Sequence, residues 1–233
     1  MDNILALVYS SEFNPADYGE LCKVRPDYML PFAGRYRIID FTLSNLTNYD
    51  ISNVILYAGN KMRSTIDHIG DGRSWELNRR RGGLTINPPN YDITNPTEIE
   101  TYFDTIRAFE SSSAEYVFVT NPMYINKVDI GDAKERLKSE NKDALIFTKK
   151  TYDKDGFFLN RKIINSNENG KPTSAGLNLG TSEEFDLFSG SILIKRDLFI
   201  RILRYAEEKN SISGLLTAIF DFPEELDIDF YRI

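Results

Sequence analysis

The chain is 233 residues long, 41% hydrophobic and 27% charged, which is ordinary soluble globular composition and enough to bury a sizeable core. Its net charge of −7 argues against the basic face on which nonspecific nucleic-acid affinity rests, so no nucleic-acid partner is expected. No apolar run approaches the ~20 residues needed to span a bilayer, and a single cysteine, Cys22, rules out an intramolecular disulfide.

In chain order, "ILALVY" (4–9) is a buried-strand candidate followed by a polar loop whose only glycine is Gly19. The stretch 35–50 places Ile38, Ile39, Phe41, Leu43 and Leu46 largely along one side of a helix, with Asn48 and Asp50 as stop residues. "NVILYA" (53–58) reads as a strand, and 61–70 as a helix ending at Gly70. The stretch 96–111 has helical periodicity through Ile99, Tyr102, Phe103, Ile106 and Phe109. A strand at 115–120, a helix at 131–141 and a strand at 144–150 follow.

This alternation predicts an α/β fold, a Rossmann-like mixed but mostly parallel sheet with helices on both faces, organised as one domain over 1–233. After about residue 150 the rhythm changes: paired strand-like runs split by Asn/Gly turns predict an antiparallel excursion. The segment 185–209 returns to strand and then helix, switching near Lys195 and Arg196. The last residues stop without a cap or polar tail, as if the chain were cut from something longer. The opening segment has an acid where a secretion signal carries basic residues and lacks a small-residue cleavage pattern, so the cytoplasm is the expected compartment.

The basic run Arg73, Arg79, Arg80, Arg81 reads either as a solvated loop or as an anion site. Between 25 and 75, Pro31, Ala33 and Gly34 form a tight turn that delivers Arg35 and Arg37 beside a helix start, and helix N-termini and clustered guanidiniums both favour phosphate oxygens. One His, one Cys and no acidic cluster at ligand spacing make a zinc site improbable.

The same stretch resembles the glucose-1-phosphate adenylyltransferases, specifically the GlgD-type subunits. The family pattern runs roughly R-x-K-P-x-x-x-F-G-G-K/R-Y/F-R-I-I-D-F-x-L-S-N-x-x-N-S-G-I. Arg25, Phe32, Gly34, Arg35, Tyr36, Arg37, Ile38, Ile39, Asp40, Phe41, Leu43, Ser44, Asn45, Asn48 and Ile51 fall in register with it. His68 and Ile69 match the family's following H-I, and 70–89 is similar to the GlgD-type continuation. The resemblance implies a nucleotide-diphospho-sugar transferase fold over the whole chain, without the family's C-terminal left-handed β-helix.

Catalytic relatives transfer adenylyl from ATP to glucose 1-phosphate with Mg²⁺ held by carboxylates. Set against them, this chain differs at four pieces. The glycine-rich phosphate loop is replaced by "YSSEFNPADYGEL", with Glu12, Asp17 and Glu20 adding negative charge. The lysine of the R-A-K-P motif falls on Asp27, with Tyr28 in the proline position. The metal-binding aspartate after the strand falls on Met123, between Pro122 and Tyr124, and a thioether is a poor Mg²⁺ ligand; Asn121 or Asp129 are the nearest substitutes. The G-T-A-D-A segment falls near "TEIET" (97–101), again without glycine, and the adenine-contacting glutamine corresponds to Gly59. The resemblance thus implies no catalytic residues and no cofactor or metal for this chain.

It also implies an effector-phosphate cluster at Lys23, Arg25, Arg35 and Arg37, weighed against structural salt bridges such as Arg37 to Asp40. His68 reads as a satisfied helix histidine over a catalytic base, and Trp75 and Tyr91 as packing residues over a nucleobase platform. Three functions follow as expectations. The first is a noncatalytic regulatory subunit acting on a catalytic GlgC-type partner, as a hetero-oligomer and tetramer in full-length form. The second is an active transferase with a divergent loop, and the third a stand-alone binding module for a sugar phosphate or nucleotide.

Overall fold

The computed structural model describes residues 3–10, 15–59, 61–80, 82–93, 96–210, 212 and 214–233. Along the chain run β1 (Ile4–Val8), β2 (Pro31–Phe32), β3 (Tyr36–Arg37), α1 (Ile38–Asn48), β4 (Asn53–Tyr57), α2 (Arg63–Ile69) and β5 (Gly83–Asn87). Next come α3 (Glu98–Phe103), α4 (Ile106–Glu110), β6 (Tyr116–Thr120), α5 (Ile130–Ser139) and β7 (Ala144–Tyr152). The remainder is β8 (Lys162–Ser166), β9 (Pro172–Leu177), β10 (Glu184–Lys195), α6 (Arg196–Lys209), α7 (Leu215–Phe220) and β11 (Ile228–Arg232). Two compact units result, one holding residues 1–96 and 111–130, the other 97–110 and 131–233.

In the first unit β1 pairs in parallel with β4 on one side and β6 on the other, and β4 pairs in parallel with β5. Every residue of β1 and β6 is buried, so the continuous apolar runs that predicted these strands are those of a sheet covered on both faces. β5 was not anticipated: "GLTIN" mixes one buried, three partly exposed and one exposed residue, the weak pattern of an outer strand.

The expected helix over 35–50 begins only at Ile38, because Tyr36 and Arg37 pair back onto β2 across a three-residue loop. Ala33 and Gly34 in that loop both have positive φ, as the predicted tight turn demands. Arg37 caps α1 in an extended conformation, and the Asp40 carboxylate accepts its backbone N–H at 2.8 Å. Ile39, Leu43 and Leu46 form the buried stripe, and Phe41 turns back to meet Phe32 and Tyr36 ring to ring. α2 ends at Gly70 as predicted, with φ 57° and its N–H on the Ile66 carbonyl.

In the second unit β7 is central between β10, antiparallel, and β11, parallel. β8 and β9 form the antiparallel excursion predicted after residue 150, with β8 pairing on β10. The strand-to-helix switch falls at Lys195–Arg196, where it was expected. The single helix expected over 96–111 is instead two, α3 and α4, broken at Asp104 and Thr105. The Thr105 hydroxyl bonds the Tyr102 carbonyl three residues back and competes with the helical ladder there.

α3 starts on a capping box: Thr97 Oγ1 accepts from the Glu100 N–H at 3.1 Å, and the Glu100 carboxylate accepts from the Thr97 N–H at 2.7 Å. The Thr97 backbone N–H, and after it the Thr97 hydroxyl, hold the Glu100 carboxyl below its ordinary value of 4.5, so that stabilisation is present at neutral pH and lost as pH falls through the folded pKa. Thr97→Ala is therefore expected to cost about 1 kcal/mol at pH 7 and less at pH 3, read from urea midpoints at both pH values.

Among the described residues, no helix is long and apolar enough to cross a membrane.

Candidate functional site

The chain leaves β1 for β4 and β5 on one side, then returns to β6 on the other. The strand order therefore reverses at β1, and the carboxyl ends of β1 and β6 frame the position where open α/β sheets bind ligands. The residues delivered there are Ser10 after β1 and Asn121, Pro122 and Met123 after β6. Residues 11–14 of the glycine-poor loop after β1, Glu12 included, lie outside the described residues, as does the side chain of Asp17; Glu20 is exposed and pairs with Lys23 at 3.2 Å.

Asp27, expected from the resemblance to take the place of a lysine, is 4% exposed. One carboxylate oxygen accepts the Ser10 hydroxyl at 2.7 Å and the other accepts the Tyr28 N–H at 2.8 Å. Burial nevertheless dominates and pushes its pKa above the ordinary 3.8. The following Tyr28 is fully enclosed, its hydroxyl sharing a hydrogen bond with Thr65 and accepting the Gly59 N–H. A Cβ on Gly59 would stand 3.8 Å from the Pro26 ring, so Pro26 and Tyr28 fill the space beside this position.

Because the folded Asp27 pKa is raised, its favourable share of stability is present below pH 3.8 and lost as pH rises through the folded value. Asp27→Asn is therefore expected to melt like the parent at pH 3 and at a higher temperature at pH 7, as calorimetry would show. Equal shifts at both pH values would contradict the assignment.

The four basic candidates differ in exposure and in the partners they meet. Lys23 and Arg35 are exposed, Arg25 and Arg37 half-buried. Arg37 turns inward, one guanidinium N–H reaching the Met29 carbonyl at 3.5 Å. Its expected partner Asp40 is taken instead by the Arg37 backbone and by the His68 ring, whose Nε2 lies 2.7 Å away. His68 is thus a satisfied helix histidine. Arg25, with Asp27 and Lys61, lies within electrostatic reach of the Cys22 thiol, and its Nε is buried without a hydrogen-bond partner among the described residues. Cys22 is buried, and desolvation raises its thiol pKa further than Lys61 and Arg25 lower it.

At the end of β6 the Asn121 side-chain oxygen accepts the Met123 N–H at 3.0 Å, an Asx turn that leaves its buried Nδ2 without a partner. Asp129 is exposed and bonds the Tyr49 hydroxyl, raising that phenol's pKa together with desolvation, the larger cause. A divalent cation does not fit this donor set: a thioether, an amide oxygen already engaged and a carboxylate turned to a tyrosine. Among the described residues no three His, Cys, Asp or Glu side chains gather at metal-binding spacing.

Trp75 is half-buried and donates Nε1–H to the Ser44 hydroxyl at 3.2 Å; Tyr91 is exposed and reaches Met62. "TEIET" forms the α3 capping box described above, a T-x-x-E signature legible in the sequence but not read as one.

No protein-family model matches the chain. Over 95 residues, 40% of the chain, it is 36% identical to the "Glycogen biosynthesis protein GlgD" of Bacillus subtilis, covering 28% of that protein. Over 121 residues it is 33% identical to the "Glucose-1-phosphate adenylyltransferase" of Clostridium novyi, covering 32% of it. The chain thus spans about a third of the length of the curated relatives it matches. Among solved structures, a putative glucose-1-phosphate thymidylyltransferase from Bacillus anthracis, in complex with sucrose, superposes over 99% of the chain and 87% of its own, with a TM-score of 0.71 at 13% identity. The fold is accordingly a nucleotidyltransferase-type α/β fold, as the alternating elements and the resemblance predicted.

Proposed function

We propose that this chain belongs to a noncatalytic regulatory subunit acting in glycogen biosynthesis, one that modulates a catalytic adenylyltransferase rather than forming ADP-glucose itself. The relatives' names support the pathway. The observation that carries the noncatalytic half is Asp27. A buried carboxylate hydrogen-bonded to Ser10, on the loop that follows β1, occupies the place where catalytic relatives present a cation to phosphate. Negative charge opposes a triphosphate at that position, and the donors after β6 do not suit the metal that would neutralise it.

What remains is suited to sensing. Arg25 carries a buried Nε without an acceptor among the described residues, and a phosphorylated effector would supply one.

The deciding experiment assays the purified protein with ATP, glucose 1-phosphate and Mg²⁺, alone and mixed with the intact catalytic enzyme of the same organism. Alone it is expected to yield no ADP-glucose above background, and Asp27→Lys to restore none, because the neighbouring pieces are also altered. In the mixture it is expected to co-elute with the enzyme and shift its response to sugar phosphates. Turnover by the protein alone, or failure to associate, would overturn the proposal.

A further inference from the structure

Beside the C-terminal half of α1, the turn at Arg73–Trp75 and the residues after it enclose a groove of about 350 Å³, within the range of small-ligand sites. At about 1.5 Å of rise per residue, Asn48 stands about 16 Å along α1 from Arg37, so the groove is separate from the basic residues at the helix start.

Its lining is polar around one aromatic: Ser44, Asn48, Asp50, Trp75, Glu76 and Arg79. The indole is fixed at both ends, Nε1 on the Ser44 hydroxyl and the ring edge-on to His68 at 6.3 Å between centroids. Asn48, Asp50 and Glu76 have no side-chain hydrogen bond or ion pair with any other described residue, and all three line the groove. Asp50 and Glu76 are held at φ 56° and 57°, left-handed conformations uncommon for these residues.

The charge decides the ligand class. Two carboxylates face one guanidinium, and the C-terminal end of α1 adds negative dipole, so a phosphate is disfavoured. Carboxylates accept from vicinal hydroxyls in bidentate fashion, an amide both accepts and donates, and an indole face packs against the C–H side of a pyranose ring. We infer that this groove binds a neutral hexose or short oligosaccharide, with Trp75 as platform and Asp50, Glu76 and Asn48 as hydroxyl partners. The inference rests on the groove alone and stands whether or not the protein regulates an adenylyltransferase.

Trp75 is the sole tryptophan of the chain, so its fluorescence reports this site directly. The test titrates the purified protein with glucose, maltose and maltotriose, and in parallel with glucose 1-phosphate and spermidine. A saturable emission change with maltose at millimolar concentration is expected, weakened at least about tenfold in Asp50→Asn and Glu76→Gln. Asparagine tolerates the left-handed conformation, so Asp50→Asn should melt as the parent does and separate loss of binding from loss of fold. A linear, non-saturating response, or an unchanged one in both variants, would overturn the inference. So would tighter binding of glucose 1-phosphate, which would make it an anion site, or of spermidine, which would make it a cation site.

Discussion

Phe199→Ala is expected to destabilise the second unit by about 4 kcal/mol, the largest effect of any single side-chain truncation considered for this chain. Phe199 on α6 is fully buried and meets two other enclosed rings, Phe109 at 5.3 Å and Tyr102 at 5.9 Å, both in tilted or edge-on geometry. Truncation to alanine removes transfer free energy, leaves a cavity and forfeits the two ring contacts, together about 3–5 kcal/mol for a buried aromatic. Against a domain stability of about 5–15 kcal/mol, that is a large share. Phe199→Leu keeps most of the volume and should lose less than half as much. Urea titration followed by far-ultraviolet circular dichroism measures both, while Trp75 fluorescence follows the first unit separately. A loss under about 1 kcal/mol for the alanine variant would mean that the ring cluster does not hold α3, α4 and α6 together.

The second large effect is at Gly83, the first residue of β5. Its φ is 91°, a conformation costly for any side chain, and a Cβ there would stand 2.5 Å from the Leu77 carbonyl oxygen and 3.2 Å from the Arg79 backbone. All of these are backbone atoms, so no rotamer change relieves the contact. Gly83→Ala is expected to cost about 3 kcal/mol or more, summing backbone strain and overlap. Gly82 is the internal control: φ is 71°, but its nearest neighbour, the Ser52 carbonyl oxygen, is 3.4 Å away, so Gly82→Ala should cost only about 1–2 kcal/mol. Because Leu77 and Arg79 line the groove beside α1, the Gly83 variant should also lose the maltose-dependent change in Trp75 emission. Equal melting temperatures for the two alanine variants would show that φ alone, not the overlap with Leu77, limits this position.

The parts of the fold that were legible in the sequence are those where burial and local chemistry agree. α1 carries its apolar stripe and its Asp40 cap in one short stretch, and β10 passes into α6 at a polar Lys–Arg pair that ends an apolar run. β11 was not anticipated, because acids interrupt its apolar residues and its burial is supplied by pairing with β7, more than 80 residues earlier. The break between α3 and α4 was hidden for a related reason: Tyr102 and Phe109 keep a helical spacing of seven across it, and both reach Phe199. At the site, the resemblance alone implies that Asp27 stands where relatives carry a lysine. That its carboxylate would be buried and bonded to Ser10, while Asp40 went to His68 rather than to the Arg37 guanidinium, depends on contacts 17 and 28 residues apart. Such contacts leave no periodic trace.

The division of the chain between two units has a bearing on its biosynthesis. Residues 97–110 belong with a body whose other members begin only at 131, and their main packing partner, α6, leaves the ribosome about 90 residues after Phe109. At roughly 5–20 residues per second, Ile99, Tyr102 and Phe109 wait on the order of 5–20 seconds before their neighbours exist. During that interval the nascent chain displays an amphipathic segment whose packing partner on α6 has not yet been made.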